Sequence, residues 1–318
     1  KEGTDMTSLA PIFELTPGAT ISPASGSVQN FTTPVRYTVT SEDKAWHRVY
    51  AITAREQKAS NIPTTYHFEK VRIMQNVWQE FYEEQDSGNE LTWASGNKGF
   101  KWAMSEAATE DYPTTQIDNG KTGKCVKLET RLTGDLGNMV GMPIAAGNLF
   151  IGSFDMLNAI TNPLSATRFG TPFYNKPLRL TGYYKYKAGE QFYENGEYTS
   201  RKDIFNIYAI FYDGVKYDSA GKGTDVTLDG NLPNQNYEHS SMVALALVSN
   251  PQETEGDEWK FFDIPFDYQR YGKKIDEARL AKGEYKIGII FASSKDGATF
   301  EGAPGSTLLI DEVELIYE

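Results

Sequence analysis

Apolar and polar positions alternate every second residue through much of this chain, a period that belongs to strands rather than helices. Leu178, Leu180, Tyr184 and Tyr186 share one parity, and Arg179, Thr181, Tyr183 and Lys185 take the other. That stretch reads as a strand with two distinct faces. Residues 205–212, 243–248, 285–291 and 308–317 are further apolar runs of strand length, separated by Gly, Pro, Asn and Asp. Many short strands with almost no amphipathic helix predict an all-β protein, a sandwich or jelly roll. Short helices are expected only near 152–160 and 276–282. The spacing of Val71, Met74, Trp78, Phe81 and Tyr82 fits one short helix or an aromatic-rich loop.

The first fifty residues have their own strand signals. Residues 12–15 read as a strand, followed by Pro17-Gly18 and Ser22-Pro23 as turns. Val35, Tyr37 and Val39 alternate with Arg36 and Thr38, and residues 41–44 turn the chain back into 47–52, a hairpin pattern. Residues 55–65 lose periodicity, as a linker does. A small domain over 1–57 and a large one over 58–318 follow, with the boundary near Lys58. Residues 219–236 form a polar, Gly-rich loop long enough to be a lid or a crossing between sheets.

Charge and cysteine content narrow the setting. Forty-three carboxylates face 31 Lys and Arg, a formal charge of −12 with no basic block. Such a surface repels phosphate backbones, which argues against nucleic acid and anionic membranes and leaves neutral sugars, cations and basic partners. A lone Cys125 can form neither an intrachain disulfide nor a zinc cluster. It reads as a buried thiol. No apolar run approaches the ~18 to 20 residues that span a bilayer.

Two resemblances enter at this point. The run GATISPASGSVQNFTTPVRYTVTSEDKAWHRVYAIT, residues 18–53, resembles the small immunoglobulin-like modules near the N-terminus of Bacteroidetes surface lipoproteins. Trp93-Ala94-Ser95-Gly96-Asn97-Lys98-Gly99, Gly182-Tyr183-Tyr184-Lys185-Tyr186-Lys187 and the closing FASSKDGATFEGAPGSTLLIDEVELIYE resemble the Bacteroidetes putative carbohydrate metabolism domain. The resemblance implies an Ig-like spacer before a jelly-roll sandwich similar to carbohydrate-binding modules. It also implies export to the cell surface, with a removed leader or lipid anchor as the only link to the membrane, and other glycan-utilisation proteins as neighbours. It supplies no agreed catalytic residues, and function inferred from fold alone is association.

Sugar binding needs flat aromatic faces against pyranose C–H groups and a few polar groups for hydroxyls. Trp93 and Trp102 beside Gly-rich turns, and Tyr183 and Tyr208 on strand faces, are the candidate platforms. Asn97, Arg201 and Asn206 are the candidate hydroxyl partners. Aromatics on strands are also ordinary sheet packing, so each competes with a plain core role. No cofactor is required, but a structural calcium is a candidate, held by Asp311 and Glu69 if the first and last strands of the large domain pair. Asp311 shares parity with Leu309, Val313 and Leu315, so unless a bulge intervenes it points inward and needs a partner.

Hydrolysis is the alternative function, and an adhesion or assembly subunit with a protein partner is the third. Glycosidases need two carboxylates ~5 to 9.5 Å apart, a distance no sequence supplies. Glu190, Glu194, Glu197 and Asp203 cluster in a Tyr-rich stretch that reads as a solvated loop. His47, His67 and His239 have no HExxH spacing, no Gly-x-Ser-x-Gly elbow occurs, and Gly120-Lys121-Thr122-Gly123-Lys124 lacks Walker spacing and reads as a tight turn.

Overall fold

The computed structural model describes residues 4–54, 59–85 and 88–318. Contacts divide the chain into a unit reaching Ala59 and a unit Ser60–Tyr317. The boundary expected near Lys58 falls outside the described residues.

In the first unit Thr20–Ser22, Val35–Thr40 and His47–Ile52 form a three-stranded antiparallel sheet in that order. Its hairpin is the one the Val35, Tyr37, Val39 alternation predicts, with Tyr37 opposite Tyr50. Asp43 closes the turn by accepting Ser41 Oγ at 2.6 Å and the Ala45 N–H at 3.0 Å. Tyr37 is the core residue, with its ring 4.7 Å from Phe13 and 6.5 Å from Phe31. Residues 12–15 are not a strand. The Phe13 N–H donates to Ser25 Oγ at 2.7 Å, so a side chain replaces the ladder partner that a strand would need.

The second unit is an antiparallel sandwich. Among the described residues one sheet runs Lys260–Pro265, Pro177–Lys187, Thr307–Tyr317, Lys124–Glu129, Thr114–Asp118, with Thr65–Tyr66 also on Thr307–Tyr317. The other runs Asn148–Phe150, Tyr285–Ala292, Asn206–Asp213, Met242–Leu247, with Thr171–Pro172 beside Tyr285–Ala292. The first and last strands of the unit therefore do pair, Tyr66 opposite Val313. Leu128, Leu180, Tyr184 and Ile310 from one sheet meet Ile207, Ala209, Ile289 and Phe291 from the other in a shared core. Each fully buried side chain of this kind stabilises by about 1.5–3 kcal/mol.

The second sheet is buried on both faces. Ile210, Tyr212, Met242 and Leu245 on its far face pack under Phe169, Leu228, Leu232 and Tyr237. The expected Gly-rich loop is part of this roof: it contains Gly223–Asp225, Leu228–Asp229 and the turn Pro233–Gln235. The stretch read as a helix or loop around Trp78 is instead a hairpin, Val71–Met74 with Trp78–Glu84. Its tight three-residue turn, with Gln75 and Asn76 both at positive φ, sets strand pairing against the apolar spacing. Of the two expected helices, Glu277–Leu280 is capped by Asp276, and the other starts only at Met156, capped by Asp155, because Gly152–Phe154 pairs as a strand with Thr167–Phe169. Asn97–Ala103 and Gly134–Met139 are short helices that the hydrophobic pattern did not predict.

Candidate functional site

Register on the second sheet builds two rows of side chains. Asn148 and Asn206 lie on either side of Ala292, and Phe150 and Tyr208 lie on either side of Ile290. Residues two apart on a strand share a face, so all six present to the far side of the sheet. A cavity of about 170 Å³ opens above them.

Three short helices help to wall it. Asn97 pins the start of Asn97–Ala103 to the neighbouring strand, donating Nδ2 to Thr114 O at 2.7 Å and accepting the Thr114 N–H at 3.1 Å. The Gly96 N–H donates to Asn148 Oδ1 at 2.8 Å, and Phe100 packs against Tyr112 at 5.4 Å. This anchoring holds Trp102 at the wall. Gly134–Met139 contributes Gly137 and the following Val140, and Met156–Thr161 contributes Met156 and Ala159. Trp102 is 39% exposed and Val140 remains exposed beside it, with Met139 and Leu157 exposed on the same helices.

The electrostatics of the lining are simple. Among the described lining residues there is no carboxylate, and Lys295 is the single charged side chain. Ser294 in the wall donates its hydroxyl to Asp203 Oδ2 at 2.5 Å. The same oxygen accepts the Ala303 N–H and the Ser306 hydroxyl, each at 2.7 Å. Asp203 is thus a buried hub rather than part of a solvated acidic loop, and burial pushes its carboxyl above the usual range. The neighbouring charged residues Glu190, Glu194 and Glu197 gave a misleading local composition; long-range donors decide the environment of Asp203.

Of the seven ligand contacts read from the sequence, Trp102, Asn206 and Tyr208 line this cavity. Trp93 does not. It is 1% exposed, in the core between Tyr66 at 5.0 Å and Phe291 at 5.9 Å. Asn97 is buried and its amide is taken up by Thr114. Arg201 is closed by Glu194 at 3.0 Å and by Asp296, and lies 4.2 Å over the Phe192 ring. Tyr183 sits half-buried on the outer face of the other sheet, between Phe261 at 5.2 Å and Lys121 Nζ at 4.9 Å. The candidate aromatics therefore do not share one surface. The residues missed, Asn148, Phe154 and Met142 among them, come from three-residue strands and a loop too short to carry a periodic signal.

Glu69 and Asp311 do converge, on the tight turn that joins Thr114–Asp118 to Lys124–Glu129. Glu69 Oε1 accepts the Lys124 N–H at 2.7 Å, and Asp311 Oδ2 accepts the Thr122 N–H at 3.0 Å. Asp311 does not point into the sandwich. A bulge intervenes: the register shifts between Thr181 and Tyr183, and Glu312 has φ 48°. A Cβ at Gly182 would lie 2.7 Å from the Phe262 ring and 2.8 Å from Val313, so only glycine permits that approach. Asp311 is nonetheless fully covered by the turn, and burial raises its carboxyl to about 6. Among the described residues no three His, Cys, Asp or Glu side chains come together as metal ligands. Cys125 beside them is buried, its thiol pushed up to about 12 by burial and then by Asp311.

The fold is an antiparallel β-sandwich with an aromatic-rimmed cavity over the far face of one sheet. The chain belongs to the family described as "Putative carbohydrate metabolism domain", whose model matches residues 67–316. Residues 1–54 match the model described as "SGBP, N-terminal", the N-terminal domain of surface glycan-binding proteins. A crystal structure from Bacteroides vulgatus ATCC 8482, described as a "putative glycoside hydrolase", is 50% identical with a TM-score of 0.75. It covers 82% of this chain and 100% of its own. One of the same description from Bacteroides thetaiotaomicron VPI-5482 is 47% identical with a TM-score of 0.72, over 99% of this chain and 88% of its own. No curated protein matches this chain. No helix in the described residues is long and apolar enough to cross a membrane.

Proposed function

We propose that this chain is a cell-surface glycan-binding protein that holds an oligo- or polysaccharide in the cavity above Asn148, Asn206 and Tyr208, without cleaving it. The observation that carries the reading is a half-exposed Trp102 on the wall of a cavity with no carboxylate among its described lining residues. An indole face covers pyranose C–H groups, and amides and hydroxyls satisfy the sugar oxygens, so binding needs no acid. The first unit, with its small core around Tyr37, serves as the spacer.

A second reading, glycoside hydrolysis, is favoured by the description of the two Bacteroides structures. Glu106, Asp111 and Glu129 line a neighbouring cavity of about 720 Å³. Glu129 is held by Lys127 Nζ at 3.0 Å and by Arg131 Nε at 3.1 Å. Glu129 is thus committed to an ion-pair network with both cations. Affinity electrophoresis through a panel of plant and host polysaccharides, with reducing-end assays on the same mixtures, separates the readings. Retardation without new reducing ends is the expected result, and new reducing ends would establish the hydrolase instead.

A further inference from the structure

The floor of the cavity specifies more than a sugar. Asn206 is 3% exposed and Tyr208 is 2% exposed, yet both line the cavity. Asn206 Nδ2 donates to Tyr237 Oη at 2.9 Å, which orients the amide and leaves Oδ1 as an acceptor without a protein partner. Tyr208 lies against Tyr237 at 5.2 Å and Phe169 at 6.3 Å, and its hydroxyl likewise has no protein partner among the described residues. Burial holds that hydroxyl firmly protonated, so it is available as a donor. Two polar groups without a protein partner on a cavity floor are completed either by water or by a ligand that reaches them.

Their spacing and surroundings select the ligand. Asn206 and Tyr208 are two residues apart on one strand, so their Cα atoms stand ~6.8 Å apart along it. A trans secondary amide lying along the strand direction places its N–H toward one and its C=O toward the other, with a hydrogen bond of ~2.9 Å at each end. The cross-strand neighbours supply the rest. Ala292 beside Asn206 is small and leaves depth, and Ile290, Phe150 and Phe169 beside Tyr208 form an apolar patch. A hydroxyl in the same place would leave that patch against a polar group.

We propose that this floor recognises the N-acetyl group of a 2-acetamido-2-deoxy sugar. The amide N–H donates to Asn206 Oδ1, the Tyr208 hydroxyl donates to the acetyl C=O, and the methyl packs on Ile290 and Phe150. This rests on the glycan-binding reading and names its ligand class. Trp102, higher on the wall, covers the ring.

The test is titration calorimetry with matched pairs: N-acetylglucosamine against glucose and N-acetylgalactosamine against galactose, as methyl glycosides and as short oligosaccharides. The unaltered protein is expected to bind at least one acetamido member tenfold or more tighter than its hydroxyl counterpart. Tyr208→Phe should abolish that preference while retaining whatever affinity the hydroxyl sugar has. Because the comparison lies between ligands, it holds even if the variant folds poorly. Equal affinity within every pair, or binding confined to hydroxyl members, overturns the N-acetyl assignment but leaves glycan binding intact. If neither these sugars nor any polysaccharide in the electrophoresis panel binds, both readings fall.

Discussion

Asp203 accepts the Ser294 hydroxyl at 2.5 Å from beneath the cavity wall, so a carboxylate that touches no ligand sets the shape of the candidate site. Thr130 Oγ1 lies 2.6 Å from the same Ser294 oxygen, and Ser306 Oγ in turn accepts the Gly189 N–H at 2.9 Å. One buried charge ties together three loops that are distant in sequence.

Asp203→Ala is therefore expected to destabilise the large unit by about 3 kcal/mol, because two hydroxyls and a peptide N–H lose a buried acceptor at once. Urea unfolding followed by tryptophan fluorescence checks this. Asp203→Asn keeps the shape but presents donors where donors already point, and should lose a substantial part of the same stability. A change below about 0.5 kcal/mol in both would show that the hub is not structural.

Trp102→Ala should reduce affinity for the bound glycan at least tenfold, about 1.4 kcal/mol, while moving the melting temperature little, since the indole is 39% exposed. The comparison with Trp93→Ala is informative. Trp93 is in the core, and its loss should cost about 3–5 kcal/mol of stability. Full glycan affinity in Trp102→Ala would remove this wall from the site.

Asp311 predicts a pH dependence with a definite sign. Its carboxyl titrates at about 6 in the folded chain and near ~3.9 unfolded. Between those values the native state binds more protons, so this group's contribution to stability falls as pH rises from about 4 to about 6 and stays lost above it. Asp311→Asn cannot titrate. The melting temperature of the variant minus that of the unaltered chain should accordingly become more positive between pH 4.5 and pH 7. Repeating the series in chelator and in millimolar calcium tests the ion expected at this turn: a calcium-dependent rise that Glu69→Gln abolishes would place it there.

Cys125 should be inert to a thiol-exchange reagent in the native protein at pH 8 and react within the mixing time once the chain is unfolded in urea, because burial both shields the sulfur and disfavours the thiolate. Rapid labelling of the native chain would mean that the Lys124–Glu129 strand opens locally.

Period-two alternation and turn residues were sufficient to read the all-β architecture and the Val35–Thr40 hairpin from the sequence, since those signals are local. They also put Tyr183 and Tyr208 on polar strand faces. Only the fold distinguishes the two: Tyr183 faces outward from one sheet, whereas Tyr208 lies under a roof built from residues such as Phe169 and Leu228. Alternation reports that a strand has two faces, not what covers each.

The same limit applies to chemistry. Charge and cysteine content bounded the partners before any coordinates, because composition acts over the whole surface. Asp311 was correctly singled out as a carboxylate in need of partners, but its direction depended on the Gly182 bulge, which shifts the register across two strands remote in sequence. Asp203 looked like one acid among many until Ser294, Ala303 and Ser306, about a hundred residues away, supplied its donors. The sequence by itself determined the strand-rich class and the family. The tertiary structure decided which aromatics face a cavity and which carboxylates are buried, because those depend on contacts between segments that local patterning does not encode.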